Sequence, residues 1–197
     1  MSMLTIYFIR HAEKPNELWP GPGLTDEGIP DTKSLVIRGW QRAGAWAALF
    51  GTGLGQPDYL GPQVVFAAKP GDDAPNEGAS RRPDETALPL VARLRLKEGQ
   101  FDTSIKQDQA MQLVETLQKL SGVVLVCWEH KALAKDILPL IPLKHNSPPV
   151  PTQWNDDRFD VVLRFDRAAD DTKFTFRELY PRLLSGDSDK PLGKEDA

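Results

Sequence analysis

Two histidines stand at the ends of apolar runs, each with a charged neighbour that could hold an anion against it. Leu4-Thr5-Ile6-Tyr7-Phe8-Ile9 is an apolar, β-prone run that delivers Arg10 and His11 and then breaks at Pro15. Val123-Val124-Leu125-Val126-Cys127-Trp128 is a second such run and delivers Glu129 and His130. In an open α/β sheet the side chains just past the carboxyl ends of strands face the crevice where ligands bind. A guanidinium beside an imidazole at that place suits a phosphoryl group: arginine forms bidentate, charge-assisted bonds to phosphate oxygens, and an in-line imidazole nitrogen can accept the phosphorus. The third histidine, His145, lies in a proline-rich connection before Pro148 and Pro149 and is expected to be a solvated loop residue.

A further arginine pair, Arg81-Arg82, is followed by Pro83, Asp84 and Glu85, a sequence that opens a helix: proline suits the first turn and the two acids complement its positive end. If the strands before these residues are neighbours, Arg10, His11, Arg82 and His130 converge on one crevice, and the nearby helix terminus adds positive charge to it. Arg81 is then a solvated charge, and Lys14 is a surface cation with a lesser claim on the ligand. Strand alternation would turn Glu129 away from His130 unless the strand end twists. Glu13 is expected to hydrogen-bond the loop after His11. His11-Ala12-Glu13 imitates the His-x-Glu of zinc deaminases, but their paired cysteine ligands are impossible with the single Cys127. No metal and no cofactor are expected.

Composition narrows the class. The 197 residues suit one α/β domain, and 24 basic against 28 acidic side chains leave a net charge of −4 with no basic block. Binding to nucleic acid or to an anionic membrane therefore has no support, and the expected partner is a small phosphorylated substrate. Cys127 sits inside an apolar run and cannot form an intrachain disulfide, which fits a reducing, cytoplasmic setting. No signal-like or membrane-length apolar run is present.

The elements that must position these groups follow from periodicity. Residues 14–34 are rich in Pro, Gly, Asn and Asp and form a long loop after the first histidine. Arg38 to Phe50 has helical spacing, with Trp40, Ala43, Ala47 and Phe50 near one stripe. Gly51-Thr52-Gly53-Leu54-Gly55 follows a helix and precedes Pro57, whereas a phosphate-cradling glycine run follows a strand and opens a helix, so it is not a nucleotide loop. Gln63 to Ala68 reads as a strand, Pro83 to Leu94 as a helix, and 107–120 as an amphipathic helix with Met111, Val114, Leu117 and Leu120 inward. Ala132 to Leu140 reads as the helix after His130. Strand and helix in alternation imply a three-layer α/β/α sandwich on a mostly parallel sheet. Phe159–Phe165 and Thr172–Arg177 alternate about Asp170-Asp171 and form a late antiparallel hairpin at an edge. A single domain over 1–184 and a loose polar tail over 185–197 are expected.

Four of these pieces, in this order, resemble the histidine phosphatase superfamily, the phosphoglycerate-mutase-like group. Tyr7-Phe8-Ile9-Arg10-His11-Ala12-Glu13 is similar to its Arg-His signature, with Ala12 where glycine is usual. Leu35 to Ala43 is similar to its first-helix opening, with Leu24-Thr25-Asp26-Glu27-Gly28 a less well placed competitor. Arg82-Pro83-Asp84-Glu85-Thr86-Ala87 is similar to its Arg-then-Thr-Ala helix start, and Val124 to His130 to its second-histidine strand. The resemblance covers residues 3–140. It implies that His11 is the phosphate-accepting nucleophile and that Arg10, Arg82 and His130 form the phosphate pocket. The resemblance implies a proton-donating carboxylate on the stretch after the second helix; its usual motif is missing, Arg95 to Asp102 offers Glu98 and Asp102, and Glu129 beside His130 has a claim equal to that of Glu98, with Asp102 next. The expected function is a metal-independent phosphomonoester hydrolase working through a phosphohistidine on His11. A phosphoglycerate-type mutase, and a non-catalytic phospho-ligand binding protein, are the alternatives on the same pocket.

Overall fold

A computed structural model describes residues 3–52, 57–71 and 76–193. Six strands form one sheet, β1 (Leu4–Arg10), β2 (Val64–Ala67), β3 (Phe101–Asp102), β4 (Gly122–Trp128), β5 (Val162–Arg167) and β6 (Thr175–Leu179), in the order β3-β2-β4-β1-β5-β6. β3, β2, β4 and β1 run parallel, and the β5–β6 hairpin continues the sheet antiparallel from β1. The expected three layers are present. On the central strand β1, Tyr7 and Ile9 point to one face, where they pack with Trp46 and Phe50 of α1 (Ile37–Gly51) and Ala87 and Leu90 of α2 (Arg82–Leu94). Ile6 and Phe8 point to the other, against Leu113 and Leu117 of α3 (Ala110–Gln118) and Leu133 and Ile137. With both faces covered, all seven residues of β1 are buried, which is why its sequence is apolar almost without a break.

Register places the site. Arg10 pairs with Trp128, so β1 and β4 end at the same level, and the His11 amide donates to the Trp128 carbonyl at 2.9 Å. His11 and Glu129-His130 therefore leave the same sheet edge side by side. Gly39 fixes the third piece. A Cβ there would stand 2.5 Å from the Glu13 carbonyl oxygen, so only glycine lets α1 press against the loop that carries His11.

Several elements differ from expectation for identifiable reasons. α3 begins at Ala110, because Lys106–Gln109 forms a turn, and it buries Ala110, Leu113, Val114 and Leu117 while Met111 is 58% exposed. The helix after β4 starts at His130, since the Glu129 carboxylate caps it by accepting from the Ala132 amide at 2.8 Å. This α4 (His130–Ala132) continues as a π-helical turn, Leu133–Ile137, and a 3₁₀ turn, Leu138–Leu140. β3 is too short to leave a periodic signal. The hairpin strands begin three residues later than expected, and Phe159 belongs to the site instead. Up to Gly193 the tail is not loose: Asp187 pairs with Arg42, and Leu192 is buried in the core. Of the glycine run after α1, Gly53 to Gly55 lie outside the described residues, as do the tail residues 194–197. Among the described residues no helix is long and apolar enough to cross a membrane.

Candidate active site

His11 is 4% exposed, and its Nδ1 lies 2.8 Å from the carbonyl oxygen of Ala12. A carbonyl can only accept, so Nδ1 carries the proton and Nε2 keeps its lone pair. Burial, with the positive charge of Arg10 next, holds the imidazole well below its ordinary pKa and keeps it neutral. The neighbouring backbone is pinned by Thr86, whose Oγ1 accepts from the Ala12 amide at 2.8 Å and donates to the Arg82 carbonyl at 2.6 Å. The first turn of α2 thus holds the loop that carries His11.

Arg10 is fully buried. Its Nη1 donates to the carbonyls of Asn155, Asp156 and Arg158 at 3.1, 2.9 and 3.1 Å, and its guanidinium lies 3.7 Å over the Phe159 ring. Nε and Nη2 are buried with no hydrogen-bond partner among the described residues. Two adjacent donors of one guanidinium, desolvated and unmatched, form a fork shaped for two oxygens of one anion. Burial lowers the arginine's pKa to about 10, a cost that an arriving anion would relieve.

His130 is 2% exposed and sits between two carboxylates. Its Nε2 is 2.7 Å from Asp156 Oδ1, and its Nδ1 is 2.7 Å from Glu129 Oε1, although the latter contact lacks hydrogen-bond geometry. Glu129 does turn toward His130, as the twist at the strand end allows. Burial alone would raise its pKa, but His130 and the amides of Ala132 and Lys131 outweigh that and bring it to about 2. Glu129 is therefore an ionised buttress and helix cap.

The other sequence candidates separate. Arg82 comes close enough for its charge to act on His11, but its guanidinium is turned to the loop before α1, donating to the carbonyls of Ser34 and Thr32 and to Ser80 Oγ. Arg81 faces Asp31 of the same loop at 3.6 Å. Glu98 is a correction: it is exposed in the turn between α2 and β3, at the amino edge of the parallel strands, whereas His11 and His130 leave the carboxyl edge. Asp102 is engaged by the amide and hydroxyl of Ser104 at 2.8 and 2.7 Å. Glu13 is fully buried, and its carboxylate takes Arg42 Nε at 2.9 Å while its carbonyl accepts from the Val36 amide. Lys14 is within electrostatic reach of Arg10, Arg82 and Lys131. His145 is exposed in its loop. Among the described residues no group of three or more His, Cys, Asp and Glu is placed to hold a metal ion.

What the sequence reading missed is the loop Asn155–Phe159, which holds Arg10 and supplies Asp156. The cluster Trp154-Asn155-Asp156-Asp157-Arg158-Phe159 is its only signal, a polar and aromatic knot after a run of prolines. The C-terminal segment braces this loop: Arg158 donates to the carbonyls of Lys190 and Ser188, and the Gly193 amide to Asn155 Oδ1. Glu85, also unforeseen, is pushed up to about 7 by burial and accepts from the Leu35 amide at 2.9 Å.

The sequence matches no protein-family model and no curated protein. In backbone geometry the chain is similar to the protein histidine phosphatase SixA solved as its tungstate complex, with a TM-score of 0.56, 13% identity, and 90% of this chain and 97% of that one covered. It is also similar, at a TM-score of 0.44 and 13% identity over 90% of this chain and 98% of the other, to a mycobacterial glucosyl-3-phosphoglycerate phosphatase. The chain has the fold of the histidine phosphatase superfamily.

Proposed function

We propose that the protein is a metal-independent phosphomonoesterase that works through a phosphohistidine on His11. The observation that carries this reading is the pairing of a neutral, buried imidazole, its Nδ1 tied to the Ala12 carbonyl, with the unmatched Nε and Nη2 of the adjacent Arg10. The similar SixA structure holds tungstate, a tetrahedral oxyanion like phosphate. The phosphoryl oxygens sit on the Arg10 fork and on His130, with Arg82 and Lys14 adding positive charge. His11 Nε2 attacks phosphorus in line, the P–N bond forms as the ester P–O bond breaks, and the leaving oxygen takes a proton from a carboxylic acid. Water then attacks the phosphohistidine and releases phosphate.

Asp156 is the carboxyl group we assign to that proton. In the resting protein its hydrogen bond to His130 holds it below its ordinary pKa, and its side chain is 74% exposed. A phosphate dianion that takes over His130 Nε2 replaces this bond with a like charge, which raises the carboxyl pKa and lets it carry the proton. Glu129, fixed near 2 by its cap and by His130, cannot serve in that way at neutral pH.

The test is brief incubation with ³²P-labelled aryl phosphate and an alkaline quench. A base-stable, acid-labile phosphoenzyme is expected on the wild type and not on His11→Ala. Turnover without such an intermediate overturns the mechanism, and vanadate binding without turnover of any ester selects the binding-protein reading.

A further inference from the structure

A cavity of about 560 Å³ adjoins the phosphate seat, lined by Ala68, Pro70, Ala79, Ser80, Glu129 and Ala132 together with four lysines, Lys69, Lys106, Lys131 and Lys135. Arg10, His11, Arg82 and His130 do not themselves line it, but residues next to Arg82 and His130 do. Ser80 accepts from Arg82, while Glu129 lies against His130 and Lys131 follows that histidine in sequence. A group bonded to a phosphate held by Arg10 and His130 therefore has this cavity to enter, and its volume is that of a site for a small metabolite.

The lining selects by charge. Alanines and a proline make an apolar wall, and the lysines carry the cationic side. Among the described lining residues Asp108 and Asp136 carry the opposing charge, and Glu129 has its carboxylate engaged by His130 and backbone amides. Lys106 and Lys135 have no ion-pair partner among the described residues. We infer that this cavity receives the leaving group of the substrate and that Lys106 and Lys135 select a small phosphomonoester whose leaving group carries a second anion, a carboxylate or another phosphate. The inference rests on the proposed phosphate seat.

The test compares 4-carboxyphenyl phosphate with its neutral isostere, 4-carbamoylphenyl phosphate. The wild type is expected to favour the carboxylate in kcat/KM by on the order of tenfold, the scale of one charge-assisted contact. In the double variant Lys106→Glu, Lys135→Glu the ratio should fall to one or invert. Equal kcat/KM values for the two esters in the wild type, with both hydrolysed, overturn this inference and leave the phosphatase reading standing. If neither ester is hydrolysed, the phosphatase reading fails, and the cavity is judged by calorimetry on His11→Ala. A tenfold tighter Kd for the carboxylate supports the inference there, and equal Kd values or no binding of either ester overturn it.

Discussion

The Thr86 hydroxyl lies 2.8 Å from the Ala12 amide and 2.6 Å from the Arg82 carbonyl, so one side chain joins the loop that carries His11 to the first turn of α2. The bond to the Ala12 amide is buried and the one to the Arg82 carbonyl partly so, with Thr86 itself 1% exposed. Thr86→Val keeps the shape and removes both. The Ala12 amide is then buried without a partner, at a cost of about 1–3 kcal/mol in stability. Because His11 loses its anchor as well, kcat should fall more than KM rises, which steady-state kinetics at a temperature well below the melting midpoint would show. Unchanged kcat in a destabilised variant would mean that Thr86 braces the fold and nothing more.

How much of this was legible follows from what set each position. Arg10, His11 and His130 were legible because each ends an apolar run, and two parallel strands of seven residues bring such ends level. Glu98 misled for a related reason. A helix of 13 residues covers about 20 Å and returns the chain to the opposite sheet edge, so nearness to Arg82 in sequence is distance in space. Asp156 was illegible, because the loop that carries it has no period and is placed by contacts with Arg10 and with a C-terminal segment that read as a free tail.

His11 should remain neutral in solution below pH 6.5. Its folded-state pKa is depressed by burial first and by Arg10 next, so in that window the unfolded chain binds a proton that the folded one does not. Stability from this group is therefore complete above about 6.5 and is lost as pH falls from there toward the depressed folded value. Long-range ¹H–¹⁵N spectra should show a His11 ring protonated at Nδ1 and unchanged between pH 7.5 and 6. A ring that titrates near its ordinary value would remove the basis for a buried nucleophile.

The C-terminal segment should matter to anion binding although it reaches no reacting atom. Arg158 holds the loop under Arg10 through Asp160 at 2.8 Å and the Lys190 carbonyl at 2.8 Å. Arg158→Ala keeps its own backbone carbonyl, one of the three that fix Arg10 Nη1, but frees the loop. Vanadate inhibition should weaken by about tenfold, the equivalent of one charge-assisted bond, with the circular dichroism spectrum retained. A chain ending at Leu184 should weaken it further if it folds. Wild-type inhibition in Arg158→Ala would show that Arg10 is held by Phe159 and the core alone.

The two carboxylates on His130 should part company when the leaving group is varied. General acid catalysis is worth about 10²- to 10⁴-fold, and its share grows with the basicity of the departing oxygen. An alkyl phosphate needs that proton, and a nitrophenyl phosphate hardly does. Asp156→Asn should therefore lose roughly a hundredfold or more on an alkyl ester and little on the nitrophenyl ester. Glu129→Gln should behave otherwise: it weakens the cap on α4 and the support of His130, so both esters slow by a similar factor and the protein loses about 1 kcal/mol of stability. Asparagine at 156 also removes the charge that competes with phosphate for His130 Nε2, so vanadate should bind this variant at least as tightly as the wild type. A steep leaving-group dependence in Glu129→Gln and none in Asp156→Asn would exchange the two roles and would require Glu129 to gain a proton against the contacts that hold it near 2.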